Sequence, residues 1–565
     1  MFSQDGRYVL VYNGEIYNYL ELRTELEREG IRFRSSGDTE VLLQALIHRG
    51  KACLPRLTGM FAFAFYDARE QKLLLARDYF GIKPLYWSKG QGNFSFASEL
   101  PALLCFAGVS RKLSAQSVYN YLCFTRYDKG GDTFFRDIFQ LPPACCMTVD
   151  TRAGSVSAQE TFWKPDLSLS SPLSFADAAA RMRELFLESV RLHLRSDVPL
   201  GVALSGGIDS SSVACAMRHL RPDAALHTFS FTAEDSPVSE ERWASLTARH
   251  IGAVRHTVEV KPDELVRDMD DMLLRQGEPF GSTSIYAQYR VFRLARESGI
   301  KVTLDGQGAD ELLAGYWGYP GQRVASLLLH GDITGAWRFL RAKSSWPGSP
   351  MWETVRRAIR EFTPARLIPF GLRLTGRDPM PDWLDIQAFE IERTSFTTLD
   401  DKFSMYPGCK DRVRQTLAYL LTWEGLQMLL RHGDRNSMAF SIESRVPFLT
   451  RDMAEFCLSL PEDYLIDMNG RTKSVFREAM RGIVPDAILD RRDKIGFATP
   501  ELDWLNALST WVEKTLESAG DIPYLRFEAA KKEWSAIKAG KKTFDRRVWR
   551  WLNYVRWVQL FKAYA

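Results

Sequence analysis

The chain has 565 residues, 45% hydrophobic and 25% charged, which is ordinary globular composition and length enough for two domains or more. A formal charge of +4 is small for this size and argues against a dedicated nucleic-acid binder, whose basic excess is larger and clustered. No stretch approaches about 20 uninterrupted apolar residues, the first residues lack the regions of a secretory signal, and the eight cysteines have no metal-ligand spacing. The expectation is a reduced, cytoplasmic compartment with neither membrane nor nucleic acid as partner.

Residues 1 to about 165 read as mostly β. RYVLVYNGEIYN (7–18) predicts an apolar strand, a tight Asn-Gly turn and a second strand. YLELRTELEREG (19–30) and TEVLLQALIHRG (39–50) predict helices, the first ending at Gly30. MFAFAFYD, KLLLARDY and NFSFASE predict strands between Gly, Asp and Lys turns. Cys53 reads as a buried packing residue. KPDLSLSSPLS (164–174) is the expected linker, and FADAAARMRELFLESVRLHLRS after it has helical spacing.

From Val198 the texture alternates. VPLGVAL, LHTFSFT, RHTVEV and KVTLDG predict strands, with helices at SSSVACAMRHL and SEERWASLTARHIG, as in a parallel sheet with crossover helices. From about Ala314 the chain reads as almost wholly helical. The basic run KKEWSAIKAGKKTFDRRVWRW (531–551) reads as solvated helix faces.

Chemistry concentrates in GVALSGGIDSSSVA (201–214). A buried strand ends in Ser205-Gly206-Gly207 and a helix begins near Asp209, so backbone N–H groups and a helix N-terminus face a bound anion. Ser205, Ser210 and Ser211 add hydroxyls. Asp209 is badly placed against bare phosphate unless a cation such as Mg²⁺ lies between them. The GK[ST] ending of a Walker A loop is missing. A second strand-turn-helix motif, KVTLDGQGADELLAGY (301–316), places Asp305, Asp310 and Glu311 at a strand's C-terminal end, so both motifs point into one crevice.

SGGIDSS followed by DGQGADELLAGY resembles the ATP-pyrophosphatase domain of glutamine-dependent asparagine synthetases. EPFGSTS (278–284), GDRNSMAFSIESRVPFL (433–449) and RTKSVFREAM (471–480) resemble further blocks of that family, in its order. NGEIYNYLELR, SSGDTEVLLQAL, LTGMFAFAFYD, ARDYFGIKPLYW and FASEL resemble its glutaminase domain. The resemblance implies an α+β and α/β two-domain chain. Residues 1–165 would be a partial Ntn-type glutaminase sandwich. Residues 175–565 would be a parallel-sheet synthetase domain, adenine nucleotide alpha hydrolase-like, with a helical C-terminus.

It also implies the chemistry: a carboxylate attacks the α-phosphate of ATP, and ammonia displaces AMP from the acyl-adenylate. Carried over by position, Ala203, Leu204 and Phe231 line the adenine pocket, with Asp305 and Gly306 near the nucleotide. Ser205, Gly206, Gly207, Ser210 and Ser211 hold pyrophosphate, Asp209 and Asp310 hold Mg²⁺, and Lys473 neutralises phosphate charge. Asp434, Arg435, Glu443 and Arg445 read equally as substrate ligands or as a structural ion-pair network. Two positions depart from the family. Gln307 stands where an acidic residue is implicated in the chemistry, and it cannot act as a base. Thr450 stands where Asp usually follows PFL. Both leave the acid open: aspartate first, otherwise a sugar acid, a lactam or macrolactam precursor or another metabolite. A non-catalytic scaffold is the alternative from another class, and oligomeric state, a homodimer included, stays open.

The family's glutaminase nucleophile is an N-terminal cysteine, whereas here Phe2 follows Met1. Asn13 and Gly14 match the oxyanion-hole pair, and Glu15 and Asp38 match the glutamine amino-group site. As written, that half is expected to be inactive, with ammonia rather than glutamine as nitrogen source. The expectation is that Met1 is an internal methionine of a longer protein.

Overall fold

The computed structural model describes residues 1–565 apart from 91, 233–239, 364–377, 379, 397–403 and 494–498. Its first strand runs without a break over Tyr8–Ile16 and pairs antiparallel with Gly59–Asp67, Asn13 opposite Ala62 and Gly14 opposite Phe61. The expected Asn-Gly turn is therefore absent. The partner strand matches every residue of the run, so the backbone is held extended through Asn13. A Cβ at Gly14 would meet the Met60 carbonyl at 2.1 Å, so glycine is there for close approach between strands.

Lys72–Arg77 and Cys145–Asp150 continue this sheet, and a smaller sheet of Phe94–Ala97, Tyr86–Lys89 and Phe139–Gln140 stacks against it. The run MFAFAFYD is buried on both faces, which explains its unbroken apolar character. Ala62 and Ala64 point between the sheets with Leu75, Met147 and Trp87. Phe61, Phe63 and Phe65 point the other way, beneath Leu22, Leu26, Val41 and Leu42 of helices Tyr19–Arg28 and Asp38–Arg49.

After the segment 164–174, which Arg414 clamps through the Leu167 and Leu169 carbonyls, helix Phe175–His193 leads into a parallel sheet. Its order is Val254–Glu259, His227–Thr232, Leu200–Ala203, Val302–Leu304, Glu443–Arg445. The order reverses between Leu200–Ala203 and Val302–Leu304, the position at which open α/β sheets bind ligands. Helices Ile208–Leu220, Glu241–His250 and Ser284–Glu297 fall in the predicted alternation; Ser239, the first residue of one predicted helix, lies outside the described residues. The strand Glu443–Arg445 interrupts a C-terminal region that among the described residues is otherwise helical, as expected. It has no apolar run to announce it and is held by backbone bonds, Glu443 N–H to the Lys301 carbonyl and Asp305 N–H to the Arg445 carbonyl, both 2.8 Å.

The two halves are not packed as separate bodies. Leu103, Tyr119, Tyr121, Phe134 and Phe135, all before the linker, share one core with Trp549, Trp551 and Trp557 of helix Arg547–Phe561. The basic run there is laced to acids, with Lys538 on Glu513 and Lys542 on Glu533.

Charged side chains also cross the junction. On helix Leu426–Met438, Arg431 pairs with Asp128 at 2.7 Å and Asp434 with Lys83 at 3.0 Å, all four nearly fully buried. Arg435 donates to the Ser98 carbonyl. Arg445 donates to the carbonyls of His193 and Arg195 at 2.6 Å and to Glu443 at 2.5 Å, its guanidinium over the Tyr17 ring. Of the two readings open for Asp434, Arg435, Glu443 and Arg445, the geometry is that of the ion-pair network. Glu15, at the end of the first strand, faces Glu443; burial first, then Glu443 and Asp38, push its carboxyl up to about 7.

Two outcomes follow from these contacts. Arg431→Met leaves Asp128 as a buried, unpaired carboxylate and is expected to cost about 3–5 kcal/mol, read as a lower urea midpoint; adding Asp128→Asn recovers only part of it, because the carbonyls of Gln276, Glu278 and Pro279 also lose their donor. The Glu15 carboxyl binds its proton more tightly folded than unfolded, so its contribution to stability is lost as pH rises from its ordinary range through about 7. Glu15→Gln is therefore expected to raise the melting temperature at pH 8 and leave it little changed at pH 5.

Candidate active site

The two motif loops leave the strands on either side of the sheet's switch point and meet there. After Leu200–Ala203 the chain turns through Ser205 and Gly206, and helix Ile208–Leu220 starts with Gly207 as its N-cap. The turn is knitted internally: Ser205 Oγ lies 3.1 Å from Ser210 Oγ and accepts from Gly207 N–H at 3.3 Å. Gly206 has φ of +83°, and a Cβ there would meet Ala244 N at 2.4 Å. Its carbonyl accepts from Arg491 at 2.9 Å.

The second loop packs directly on the first. A Cβ at Gly306 would meet Ser210 N at 2.8 Å. Asp310 and Asp209 are bridged by Lys473, whose Nζ lies 2.6 Å from Asp310 and 2.5 Å from Asp209. Lys473 is buried and its backbone is left-handed, φ +58°, an uncommon conformation outside glycine. Burial alone would lower the Lys473 pKa; Asp209 and then Asp310 outweigh it, and the ammonium is held above its ordinary range. Gly315 makes room, since a Cβ there would meet Asp310 Oδ1 at 1.8 Å and Lys473 Cε at 2.3 Å. Burial, with a smaller push from Asp209, raises the Asp305 carboxyl to about 6.

Ala203, Leu204, Ser205, Gly207, Asp209, Ser210, Phe231, Asp305, Gly306, Gln307, Asp310 and Lys473 all line one cavity. Ser211 departs from its expected role. It lies inside the first helical turn, fully buried, with its hydroxyl 2.9 Å from Thr247 Oγ1, so it secures the helix rather than facing phosphate. Gly206 acts through its backbone. Asp434, Arg435, Glu443 and Arg445 are not among the residues that line the cavity. Thr450 caps helix Arg451–Ser459, accepting from Met453 N–H at 3.4 Å. An aspartate would do the same, so this departure from the family concerns a helix end and not the cavity.

Among the wall residues that sequence did not single out are Lys343, Arg477, Arg491 and Gln288. Lys343, on helix Ile333–Ser344, is buried, donates to the Gly470 carbonyl at 3.4 Å and sits 4.2 Å above the Trp346 ring. Burial, and then Arg477, lower its pKa to about 8. Arg477 is equally buried and donates to the carbonyls of Thr472, Leu489 and Arg491. Arg491 bridges Gly206, Glu240 and Asp493. Gln288 projects from helix Ser284–Glu297. Arg477 stands inside RTKSVFREAM, where its spacing from Lys473 was a usable signal. Lys343 has none, being an ordinary helical lysine until the fold buries it.

In the N-terminal half the four pocket positions gather at the end of the first strand. Asp38 accepts from Tyr12 Oη at 2.8 Å and Ile16 N–H at 2.9 Å, and Asn13 donates to Ser98 Oγ at 3.2 Å. Of the thiols of this half, Cys53, Cys145 and Cys146 are buried, and burial drives Cys53 up to about 12 and Cys146 up to about 11; Cys105 is exposed and donates to the Pro101 carbonyl at 3.3 Å. Among the described residues no helix is long and apolar enough to cross a membrane, and no group of three or more His, Cys, Asp or Glu could hold a metal ion.

Comparison with known proteins matches the Asparagine synthase family model over residues 181–560 and the Glutamine amidotransferase domain model over residues 1–163. Asparagine synthetase [glutamine-hydrolyzing] 1 of Bacillus subtilis is 29% identical, covering 98% of this chain and 86% of that protein. A putative asparagine synthetase [glutamine-hydrolyzing] of Mycobacterium bovis is 31% identical over 99% of this chain and 85% of its own length. Amidase chry2 of Gibberella zeae is 25% identical over 89% and 78%. Family models that meet on either side of the linker, and relatives aligned along nearly the full length, lead to one conclusion: the chain belongs to the asparagine synthase family.

Proposed function

We propose that the chain is an ATP-dependent amide-forming ligase whose acid substrate is aspartate. The acid's carboxylate oxygen attacks the α-phosphorus of ATP, the bond to the β-phosphate breaks, and pyrophosphate leaves. Ammonia then adds to the acyl carbon of the adenylate and AMP departs, giving the amide. The observation that carries this reading is the meeting of the two strand-end loops at the switch point, with Lys473 between Asp209 and Asp310.

Each part has a physical role. The Ser205–Ser210 turn and the N-terminus of helix Ile208–Leu220 offer N–H groups to the departing pyrophosphate. Lys473, beside Asp209, Arg491, on the Gly206 carbonyl, and Arg477 supply positive charge along the same cavity. Asp209 and Asp310, hard oxygen donors drawn together on one ammonium, fit Mg²⁺, which takes one or two carboxylates and completes its octahedron with phosphate oxygens. Bound there, it would neutralise leaving-group charge. The carboxylate nucleophile is ionised at neutral pH and needs no base, which is consistent with an amide at Gln307.

A second reading keeps the chemistry and changes the acid. It is favoured by Gln307 on the cavity wall and by a relative bearing the name amidase. Exchange of labelled pyrophosphate into ATP, run across a panel of carboxylic acids, separates the two: exchange with aspartate supports the first, and exchange only with another acid replaces it.

Given ATP, Mg²⁺ and the acid, this chain is expected to make amide from ammonium and not from glutamine, because burial keeps Cys53 and Cys146 from thiolate character and Asp38, at the glutamine-pocket remnant, is hydrogen-bonded to Tyr12 and the Ile16 N–H and, among the described residues, to no thiol. Amide formed from glutamine at a comparable rate would contradict this. Lys473→Met is expected to lower AMP formation by about 10²–10³-fold, read by AMP release under saturating ammonium.

A further inference from the structure

Beyond Ala203 and Leu204 the cavity ends in an apolar slot walled by Phe229, Phe231, Val291 and Phe292. Gln288 enters this slot from helix Ser284–Glu297. Its amide is oriented by a chain of buried hydrogen bonds in which each link fixes the next.

Asn436 Nδ2 lies 2.9 Å from the Ile285 carbonyl, which only accepts, so Nδ2 is the amino end of that side chain. The same Nδ2 donates to Gln288 Oε1 at 3.0 Å. Asn436 Oδ1 then accepts from Gln276 Nε2 at 2.7 Å, which leaves Gln276 Oε1 to accept from His432 Nδ1 at 2.8 Å. His432 is buried, and burial together with Arg431 keeps it neutral. A neutral imidazole that donates at Nδ1 accepts at Nε2. The Tyr127 hydroxyl donates there at 3.0 Å and itself accepts from Gly281 N–H at 3.0 Å. Every donor in the series points the same way, from Gly281 toward the cavity. Gln288 Oε1 is used, and its Nε2 group is presented to the slot as a pure donor.

We infer that Gln288 reads the nucleotide base, donating a hydrogen bond to an unprotonated ring nitrogen of the purine, with Asn436, Gln276, His432 and Tyr127 as the residues that position it. This rests on the nucleotide reading of the cavity. A ring nitrogen accepts such a donor, whereas an exocyclic amino group in the same place meets donor against donor. Tyr127 lies before the linker, so base recognition in the synthetase half depends on a hydroxyl supplied by the other half.

The test is calorimetric binding of ATP and of 1-deaza-, 3-deaza- and 7-deaza-ATP, each with Mg²⁺, to the unmodified chain. One of the three analogues, lacking the accepting nitrogen, is expected to bind about tenfold more weakly than ATP. Gln288→Met, close in volume, is expected to bind ATP about tenfold more weakly and to lose the discrimination. Tyr127→Phe is expected to narrow the ratio between ATP and the sensitive analogue, a readout that reduced stability alone does not move. Equal binding of all four nucleotides by the unmodified chain overturns the inference while leaving the nucleotide reading intact. An unchanged ratio in Tyr127→Phe overturns the positioning role. Failure of ATP itself to bind overturns the nucleotide reading and the inference with it.

Discussion

One ammonium group holds the site together. Lys473 joins Asp209, at the start of one helix, to Asp310, in the short helix Ala309–Leu312 that follows a different strand, and it does so from a left-handed backbone position. Without it, two carboxylates would face each other across a cavity wall in low dielectric, where like charges repel strongly. Neighbouring residues are arranged around this triad. Gly315 leaves the space that Asp310 and Lys473 occupy, and Gly306 lets the second loop lie directly on the first. The triad still carries one net negative charge. Arg477, Arg491 and Lys343 also line the cavity and offset it; among the described residues Arg477 donates only to backbone carbonyls, and Lys343 meets a backbone carbonyl and the Trp346 ring. A buried cation paired with carbonyls alone is costly to desolvate, which favours an anionic occupant over an empty, dry cavity.

What the sequence disclosed about this site was local. A buried strand running into Ser-Gly-Gly, and a second into Asp-Gly-Gln-Gly, states its chemistry within a few residues, because the backbone approach itself demands glycine. Where the signal was tertiary, reading failed. Glu443-Ser444-Arg445 forms a parallel strand through backbone pairing alone, and no periodicity marks three residues with charged ends. Asn13-Gly14 has the composition of a turn, yet a continuous partner strand overrides that preference. Ser211 was grouped with Ser205 and Ser210 by adjacency, whereas helical rotation of about 100° per residue turns it away from the loop.

The division of the chain shows the same limit at larger scale. A Ser- and Pro-rich stretch suggested two bodies meeting at a linker. The family models divide at that stretch, and packing also runs across it, because the aromatic residues between Leu100 and Ile138 find partners in the last helix of the chain. Such a core carries no sequence signature, since each contributor reads as an ordinary apolar residue of its own segment. The charged block GDRNSMAF is ambiguous for a related reason. Asp434 and Arg435 have the residue types of a ligand set, and only the positions of Lys83, Ser98 and Glu99 reveal that their partners are protein.

Helix Leu426–Met438 therefore has two jobs that share one set of turns. One side carries Arg431, Asp434 and Arg435, which fasten the N-terminal half by buried ion pairs. His432 and Asn436, i and i+4 on the same helix, carry the hydrogen-bond series toward Gln288. Buried ion pairs are weak contributors to net stability but are sensitive to geometry, and a directional hydrogen-bond series tolerates little displacement. Placing both on a single rigid helix couples them. Any shift of the halves large enough to break Arg431–Asp128 also moves Tyr127, which precedes Asp128 in the chain. The amide in the slot is thus oriented only while the two halves are seated on each other, although every residue that lines the cavity lies after the linker.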